Sequence, residues 1–169
     1  MRAEMKKLYI VGGTMGAGKT TVCQIMKEKL DNAVFLDGDW LWDSHPFTVT
    51  EETKAMVMNN IKYMLNRFIN CTAYENIIFC WVMHEQKIID DIIGGIAAEK
   101  CEIKTVSLIC GEKTLKEHLE KDIADGTRSP DIIERSIGRI PLYEKLDTVK
   151  ISVDGKSARQ TANEIIALA

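Results

Sequence analysis

One stretch decides the fold of this chain: Gly13-Thr14-Met15-Gly16-Ala17-Gly18-Lys19-Thr20. It fits the pattern G-x-x-x-x-G-K-[ST] at every fixed position. A short apolar run from Leu8 to Val11 comes directly before it, and apolar residues with helical spacing follow it from Thr20 to Leu30. Strand, glycine turn and helix therefore succeed one another, which is the order that a phosphate-binding loop requires.

The residue types in this stretch suit phosphate chemistry. Glycines let backbone N–H groups turn inward around phosphate oxygens, and the start of the following helix adds partial positive charge. Lys19 is expected to reach the β- and γ-phosphates, and the Thr20 hydroxyl is expected to bind Mg²⁺. The predicted nucleotide-binding set is therefore residues 13–20 together with Thr21, with ATP and Mg²⁺ as cofactors.

Strand and helix patterns alternate along the rest of the chain. Apolar or alternating runs at residues 33–36, 76–83, 103–110 and 149–153 favour four further strands, separated by segments with helical spacing. The pattern predicts a three-layer α/β/α fold with a five-stranded parallel sheet, in one domain spanning residues 1–169. Ligands in such folds bind at the carboxyl ends of the strands, where the glycine turn also lies.

Several predicted helices carry signals at their ends or interior. Thr50 is a candidate N-cap, and Ser157 with Gln160 forms a capping box before the last helix. A helix over 85–100 is expected to break near Gly94. The helix over 131–143 is expected to be interrupted near Gly138 and Pro141, because proline lacks a backbone donor.

Composition excludes several classes of protein. The net charge of −3 provides no general attraction for nucleic acid or an anionic membrane, and no apolar run approaches the length of a bilayer span. The five cysteines form no C-x-x-C pair, so reduced, buried thiols are expected rather than disulfides or a metal site. These features predict a cytoplasmic protein without membrane or nucleic-acid partners.

A pair of acidic residues follows the second predicted strand, in Phe35-Leu36-Asp37-Gly38-Asp39. Together with the preceding loop, it resembles the D-x-D of gluconate, shikimate and adenylylsulfate kinases. The resemblance implies that Asp37 lies near the hydration shell of Mg²⁺ and that Asp39 contacts the acceptor hydroxyl. The chemistry agrees, because an attacking hydroxyl must lose a proton and a carboxylate can accept it. The alternative is an acidic turn in solvent.

Three arginines, Arg128, Arg135 and Arg139, lie in a segment that resembles the lid and following helix of small-molecule and nucleoside monophosphate kinases. Arg128 and Arg135 are the preferred candidates for closing over the transferring phosphoryl group, since such charges neutralise its oxygens. Arg139 and Tyr143 have the R-x-x-x-Y spacing that follows adenylate kinase lids, with their role left open. The resemblance implies a short lid at about 124–131 and a loop beside the adenine at Gly155. A solvated helix and a plain turn are the alternatives.

Residues 38–72 are expected to form the acceptor-binding segment. Seven acidic residues and three basic ones lie within 37–86, so a monophosphate acceptor would depend on Arg67 as its clamp. Trp40 and His84 are further candidates for lining the pocket, although packing is the alternative for each. The charge balance predicts a neutral or cationic alcohol as acceptor.

Taken together, these patterns predict an ATP-dependent phosphotransferase that acts on a hydroxyl group of a small molecule. The N-K-x-D motif of a GTPase is missing. A nucleoside monophosphate kinase and a non-catalytic nucleotide-binding switch remain as alternatives, and monomer and homodimer are both open.

Overall fold

The computed structural model describes residues 4–168, which form one parallel five-stranded sheet with helices on both faces. The strand order is β2-β3-β1-β4-β5, and every neighbouring pair is parallel. The strands are β1 Lys6–Gly13, β2 Ala33–Asp37, β3 Asn76–Cys80, β4 Cys101–Ile109 and β5 Val149–Ser152.

Six α-helices connect and cover the strands. They are α1 Lys19–Lys29, α2 Glu51–Ile69, α3 Gln86–Gly94, α4 Glu112–Ala124, α5 Ile132–Glu144 and α6 Ala158–Ile166. Two short 3₁₀ turns, Gly38–Leu41 and Ala98–Lys100, follow β2 and precede β4. The predicted α/β/α fold with a five-stranded parallel sheet is therefore confirmed.

Each face of the sheet has its own apolar core. Alternate residues of β1 point to opposite sides: Tyr9 and Val11 pack in a cluster with α1, α4 and α6, whereas Leu8 and Ile10 pack in a cluster with α2 and α3. Helix α5 contributes to both clusters, through Ile132 and Tyr143 respectively. Burial on both faces explains the nearly continuous apolar runs of the central strands.

The local signals at helix ends are mostly confirmed. Thr50 accepts a hydrogen bond from the backbone N–H of Thr53 and the return bond is also present, and Ser157 and Gln160 pair in the same way. Helix α3 ends at Gly94, near the expected break. The predicted strand over 76–83 is shorter and ends at Cys80.

The predicted interruption of the helix over 131–143 is wrong, because α5 runs continuously through Gly138 and Pro141. Proline removes one backbone hydrogen bond, yet the residues around it are held by packing. Ile137 and Ile140 pack against one core and the buried Tyr143 belongs to the other. Tertiary contacts on both sides of Pro141 therefore maintain the helix.

The cysteines lie mainly inside the fold. Four of the five, Cys23, Cys80, Cys101 and Cys110, are buried, and Cys71 is partly exposed. No helix among residues 4–168 is both long and apolar enough to cross a membrane.

The strand order determines what meets at the carboxyl edge of the sheet. Because β1 is central, the loop after it lies between the ends of β3 and β4. The register places Asp37, the last residue of β2, opposite Cys80, the last residue of β3. The segments that follow β1, β2 and β3 therefore emerge side by side.

Candidate active site

The glycine loop between β1 and α1 adopts backbone conformations that need glycine. Gly16 has φ 84° and Gly18 has φ 87°, both in the left-handed region that other residues avoid. Gly18 is also the N-cap of α1, so the unpaired N–H groups of the first helical turn face the loop. This arrangement offers backbone donors and a positive helix end to an anion.

Lys19 lies across the loop. Its Nζ donates to the carbonyl oxygen of Thr14 at 2.9 Å, which curls the side chain back over the turn. Burial lowers the pKa of Lys19, while the neighbouring Cys80, Asp39 and Asp37 act in the opposite direction. The ammonium group is thus held in a poorly solvated position, where its interaction with a phosphate would be strong.

A chain of hydrogen bonds joins α1 to the end of β2. The hydroxyl of Thr20 donates to Oδ2 of Asp37 at 2.7 Å, and the backbone N–H of Asp39 donates to Oδ1 of Asp37 at 3.0 Å. Asp37 is almost completely buried and caps the 3₁₀ turn that carries Asp39. The position of Asp39 is therefore coupled to the phosphate-binding loop.

Asp39 lies at the rim of the cleft, with its carboxyl group partly shielded from water. Burial raises the pKa of Asp39, and the neighbouring charge of Asp37 adds to this effect. Lys19, a hydrogen bond from Trp81, and Arg128 act in the opposite direction. A raised pKa makes this carboxylate a better proton acceptor than an isolated one.

These groups line one open cleft with a volume of about 370 Å³. Its walls come from the glycine loop, the ends of β2 and β3, α4 and the turn after α4. The lining residues are Met15, Gly16, Gly18, Lys19, Thr20, Thr21, Asp37, Asp39, Val82, His118, Lys121, Asp122 and Arg128. The remaining loop residues, Gly13, Thr14 and Ala17, are buried beneath it.

Helix α4 forms a wall of the cleft that sequence reasoning missed. Nδ1 of His118 donates to the carbonyl oxygen of Gly16 at 2.7 Å, and Lys121 and Asp122 line the cleft beside it. These three residues have i, i+3, i+4 spacing, so a shared polar face was detectable. The spacing alone does not show which part of the fold that face packs against.

The arginines of the proposed lid take different positions. Arg128 lines the cleft, and its Nε donates to Oδ2 of Asp122 at 2.9 Å. Arg135 is exposed, lies 3.9 Å from the carboxylate of Asp131, and is not among the residues that line the cleft. The structure thus brings only Arg128 of this pair to the glycine loop.

The other predicted contact residues are dispersed. Trp40 packs edge-on against Phe35, with ring centroids 5.1 Å apart, and stays 52% exposed. His84 lies in the loop after β3; burial lowers its pKa, and the Arg139 charge adds to the shift. Gly155, with φ 67°, lies in the turn after β5. None of these three is among the residues that line the cleft.

Arg67 lies at the other end of the molecule. It is in the last turn of α2, and the residues just after it are tied to the start of β1, because Lys6 donates to the carbonyl oxygens of Phe68 and Cys71. Lys6 and the glycine loop are separated by the whole length of β1, roughly 25 Å. The structure therefore does not bring Arg67 to the cleft.

The fold of this chain, including its glycine loop, is similar to that of several solved P-loop kinases. A gluconokinase from Sinorhizobium meliloti 1021 superposes with a TM-score of 0.70 at 17% identity, covering 98% of this chain and 92% of that one. An APS kinase from Mycobacterium tuberculosis, in complex with AMPPNP and APS, has a TM-score of 0.69 at 15% identity, covering 97% of both chains. These likenesses establish the fold.

A third similar structure is a shikimate kinase from Acinetobacter baumannii in complex with shikimate, with a TM-score of 0.62 at 19% identity. It covers 96% of this chain and 91% of that chain. The family model described as AAA domain matches residues 10–136, more than half of the sequence, so the chain belongs to this AAA domain family. No curated protein matches the chain significantly.

Proposed function

We propose that this protein transfers the γ-phosphoryl group of ATP to a hydroxyl group of a small molecule. The observation that carries the proposal is the continuous link from Thr20 through Asp37 to Asp39, with the ammonium group of Lys19 in the same cleft. Phosphoryl transfer depends mainly on positioning and on charge neutralisation. A loop that binds phosphate and a carboxylate held beside it supply both.

The loop residues have separate roles in this proposal. The backbone N–H groups of residues 13–21 bind the phosphates, and Lys19 neutralises the β- and γ-phosphate oxygens. Arg128, at the proposed lid of residues 124–131, adds a second positive charge at the cleft. It must exchange its contact with Asp122 for one with phosphate.

Thr20 and Asp37 fit a magnesium site. Mg²⁺ favours oxygen ligands and usually takes one or two from the protein, with phosphate oxygens and waters completing the octahedron. The hydroxyl of Thr20 and a carboxylate oxygen of Asp37 lie 2.7 Å apart at the edge of the cleft. When bound, the metal neutralises charge on the phosphate oxygens.

Asp39 is the proposed general base. Its backbone is held by Asp37, and its carboxyl group faces the cleft that Lys19 also lines. The acceptor hydroxyl gives its proton to Asp39 as its oxygen bonds to the γ-phosphorus. The bond from that phosphorus to the β–γ bridging oxygen breaks, and ADP leaves with the electron pair.

A neutral or cationic alcohol remains the proposed acceptor, bound by the segment of residues 38–72. Arg67 lies at the opposite end of the sheet, and Lys54 is exposed and paired with Glu51 at 3.2 Å. The acidic pair Asp37 and Asp39 therefore dominates the acceptor side of the cleft. An anionic acceptor would be repelled there unless Arg128 compensated.

The test is ADP release from ATP and Mg²⁺ across nucleosides, sugars, aminoglycosides and nucleoside monophosphates. One class of alcohol should stimulate release, and Lys19→Ala should abolish it while Lys113→Ala, an exposed lysine on α4, should not. Asp39→Asn should lower the rate about 100-fold or more, with Asp91→Asn, an exposed aspartate on α3 outside the proposed acceptor segment, as the matched control.

Each alternative predicts a different result. Stimulation by nucleoside monophosphates alone would favour a nucleoside monophosphate kinase. A protein that binds ATP but releases no ADP with any compound, and that tolerates Asp39→Asn in binding assays, would be a nucleotide-dependent switch, and the proposal would be wrong.

A further inference from the structure

Trp81 occupies a special place at the carboxyl edge of the sheet. It is the first residue after β3, and the register of β2 and β3 pairs Asp37 with Cys80. The residues that follow this pair, Gly38 and Trp81, must therefore lie next to each other. A side chain at position 81 is placed directly beside the turn that carries Asp39.

The indole ring of Trp81 packs onto the backbone of Gly38. A Cβ atom added at Gly38 would lie 2.6 Å from both Cγ and Cδ1 of Trp81, which is closer than two non-bonded carbon atoms can approach. The backbone of Gly38 is not in the left-handed region, so its conformation does not require glycine. The close approach of the Trp81 ring does. The contact fixes the ring relative to the turn.

The ring also donates a hydrogen bond. Nε1 of Trp81 donates to Oδ1 of Asp39 at 3.2 Å. The backbone N–H of Asp39 is bound to Asp37, so Asp39 is held at both its backbone and its side chain. Among residues 4–168 no group donates to Oδ2 of Asp39, so the two carboxylate oxygens are not equivalent.

We propose that Trp81 is a positioning residue, which fixes the Asp39 carboxylate through Oδ1 and leaves Oδ2 to accept the proton of the acceptor hydroxyl. This inference rests on the proposed phosphotransferase function. The carboxylate otherwise rotates about its last side-chain bond and presents either oxygen. Holding it in one orientation keeps the base in a productive geometry.

A purely structural role predicts something different. Trp81 also packs at the border of the core formed with α2 and α3. If packing were its only role, a ring of similar shape without the N–H would preserve both the orientation of the Asp39 carboxylate and the rate of transfer. Trp81→Phe keeps an aromatic ring against Gly38 and removes the donor. Trp42→Phe is the matched control, since Trp42 packs on Phe47 with centroids 4.9 Å apart.

The first measurement follows the indole N–H signal of Trp81 by NMR on tryptophan-labelled protein, which needs no acceptor. Trp81→Phe removes this signal and Trp42→Phe leaves it in place, which assigns it. Asp39→Ala should move the Trp81 signal and speed its exchange with water, because the hydrogen bond to Oδ1 is lost, whereas Asp91→Ala, at an exposed position on α3, should not. Circular dichroism and thermal unfolding confirm that each variant is folded. An unchanged Trp81 signal in folded Asp39→Ala would overturn the proposal.

The second measurement uses the alcohol that gives the largest ADP release in the panel. Trp81→Phe should lower kcat about 10-fold and leave the KM for ATP unchanged, because a misoriented base slows the transfer without affecting nucleotide binding. In an Asp39→Asn background it should cause no further loss. If wild-type protein phosphorylates nothing, the proposed function fails, whereas the NMR signal of the Trp81 indole N–H still decides whether Trp81 holds the carboxylate.

Discussion

Asp37 and Asp39 are two positions apart in the chain, yet their surroundings assign them different tasks. Asp37 is buried and accepts hydrogen bonds from Thr20 and from the backbone of Asp39. Asp39 lies at the rim, with one oxygen bound by Trp81. The first carboxylate holds the turn in place, and the second is the proposed general base.

This difference predicts that ionised Asp39 lowers the free energy of unfolding, although the proposed activity requires it. Its folded-state pKa is raised above the ordinary value of 3.8, so the ionised form is disfavoured in the fold. The stability that protonated Asp39 contributes to the fold is fully present below pH 3.8, and it is lost as the pH rises through the folded-state pKa. Asp39→Asn should therefore unfold at the same or a higher temperature than wild type at pH 7.

Thermal unfolding between pH 3 and pH 8 checks this prediction. The advantage of Asp39→Asn should shrink as the pH falls, because the wild-type carboxyl group then binds its proton. A variant that is less stable than wild type across the whole range would contradict the assigned sign. The exposed Asp43→Asn controls for the change of net charge.

At the scale of elements, α4 and the glycine loop pack as one unit. A Cβ atom added at Gly16 would lie 2.9 Å from the side chain of Leu119, and His118 binds the carbonyl oxygen of the same glycine. Gly18 has a similar backbone conformation, with no atom within 4 Å of its added Cβ. A comparison of substitutions at the two glycines therefore distinguishes the effect of backbone strain from that of steric contact.

Gly16→Ala should destabilise the protein more than Gly18→Ala. Both substitutions force alanine into the left-handed region, at about 1–2 kcal/mol each. Gly16→Ala must in addition displace Leu119 and disturb α4. Urea unfolding of both variants without nucleotide gives the comparison. Equal losses of unfolding free energy would mean that α4 moves aside without cost and does not stabilise the loop.

At the scale of the whole molecule, the parallel sheet gathers the glycine loop, the acidic turn and Trp81 at one edge. A ligand bound there contacts segments that follow three different strands, so it stabilises the assembled fold and not the unfolded chain.

ATP with Mg²⁺ at 100 times its Kd should therefore stabilise the protein by about 2.7 kcal/mol. For a chain of this size that corresponds to roughly 5–10 °C in Tm. Differential scanning fluorimetry measures the shift. Lys19→Ala should lose most of it, whereas Lys113→Ala should keep it. An unchanged wild-type Tm at saturating ATP would contradict nucleotide binding at the loop.

The residue pattern alone determined the loop, the alternation of strand and helix, and the parallel sheet. Those features are local: a glycine turn between an apolar run and a helical spacing can be read within 25 residues. The fold predicted from them is confirmed. The roles of Lys19, Thr20, Asp37 and Asp39 stay predictions, although these side chains do share one cleft.

Only the tertiary structure decided which distant residues complete the cleft. His118 reaches Gly16 because α4 packs beside the loop, and Trp81 reaches Asp39 because β2 and β3 are neighbours in register. Arg67 lies at the far edge because α2 runs back along the sheet. Strand order and helix packing arise from burying apolar faces of the whole chain, and no local spacing encodes them.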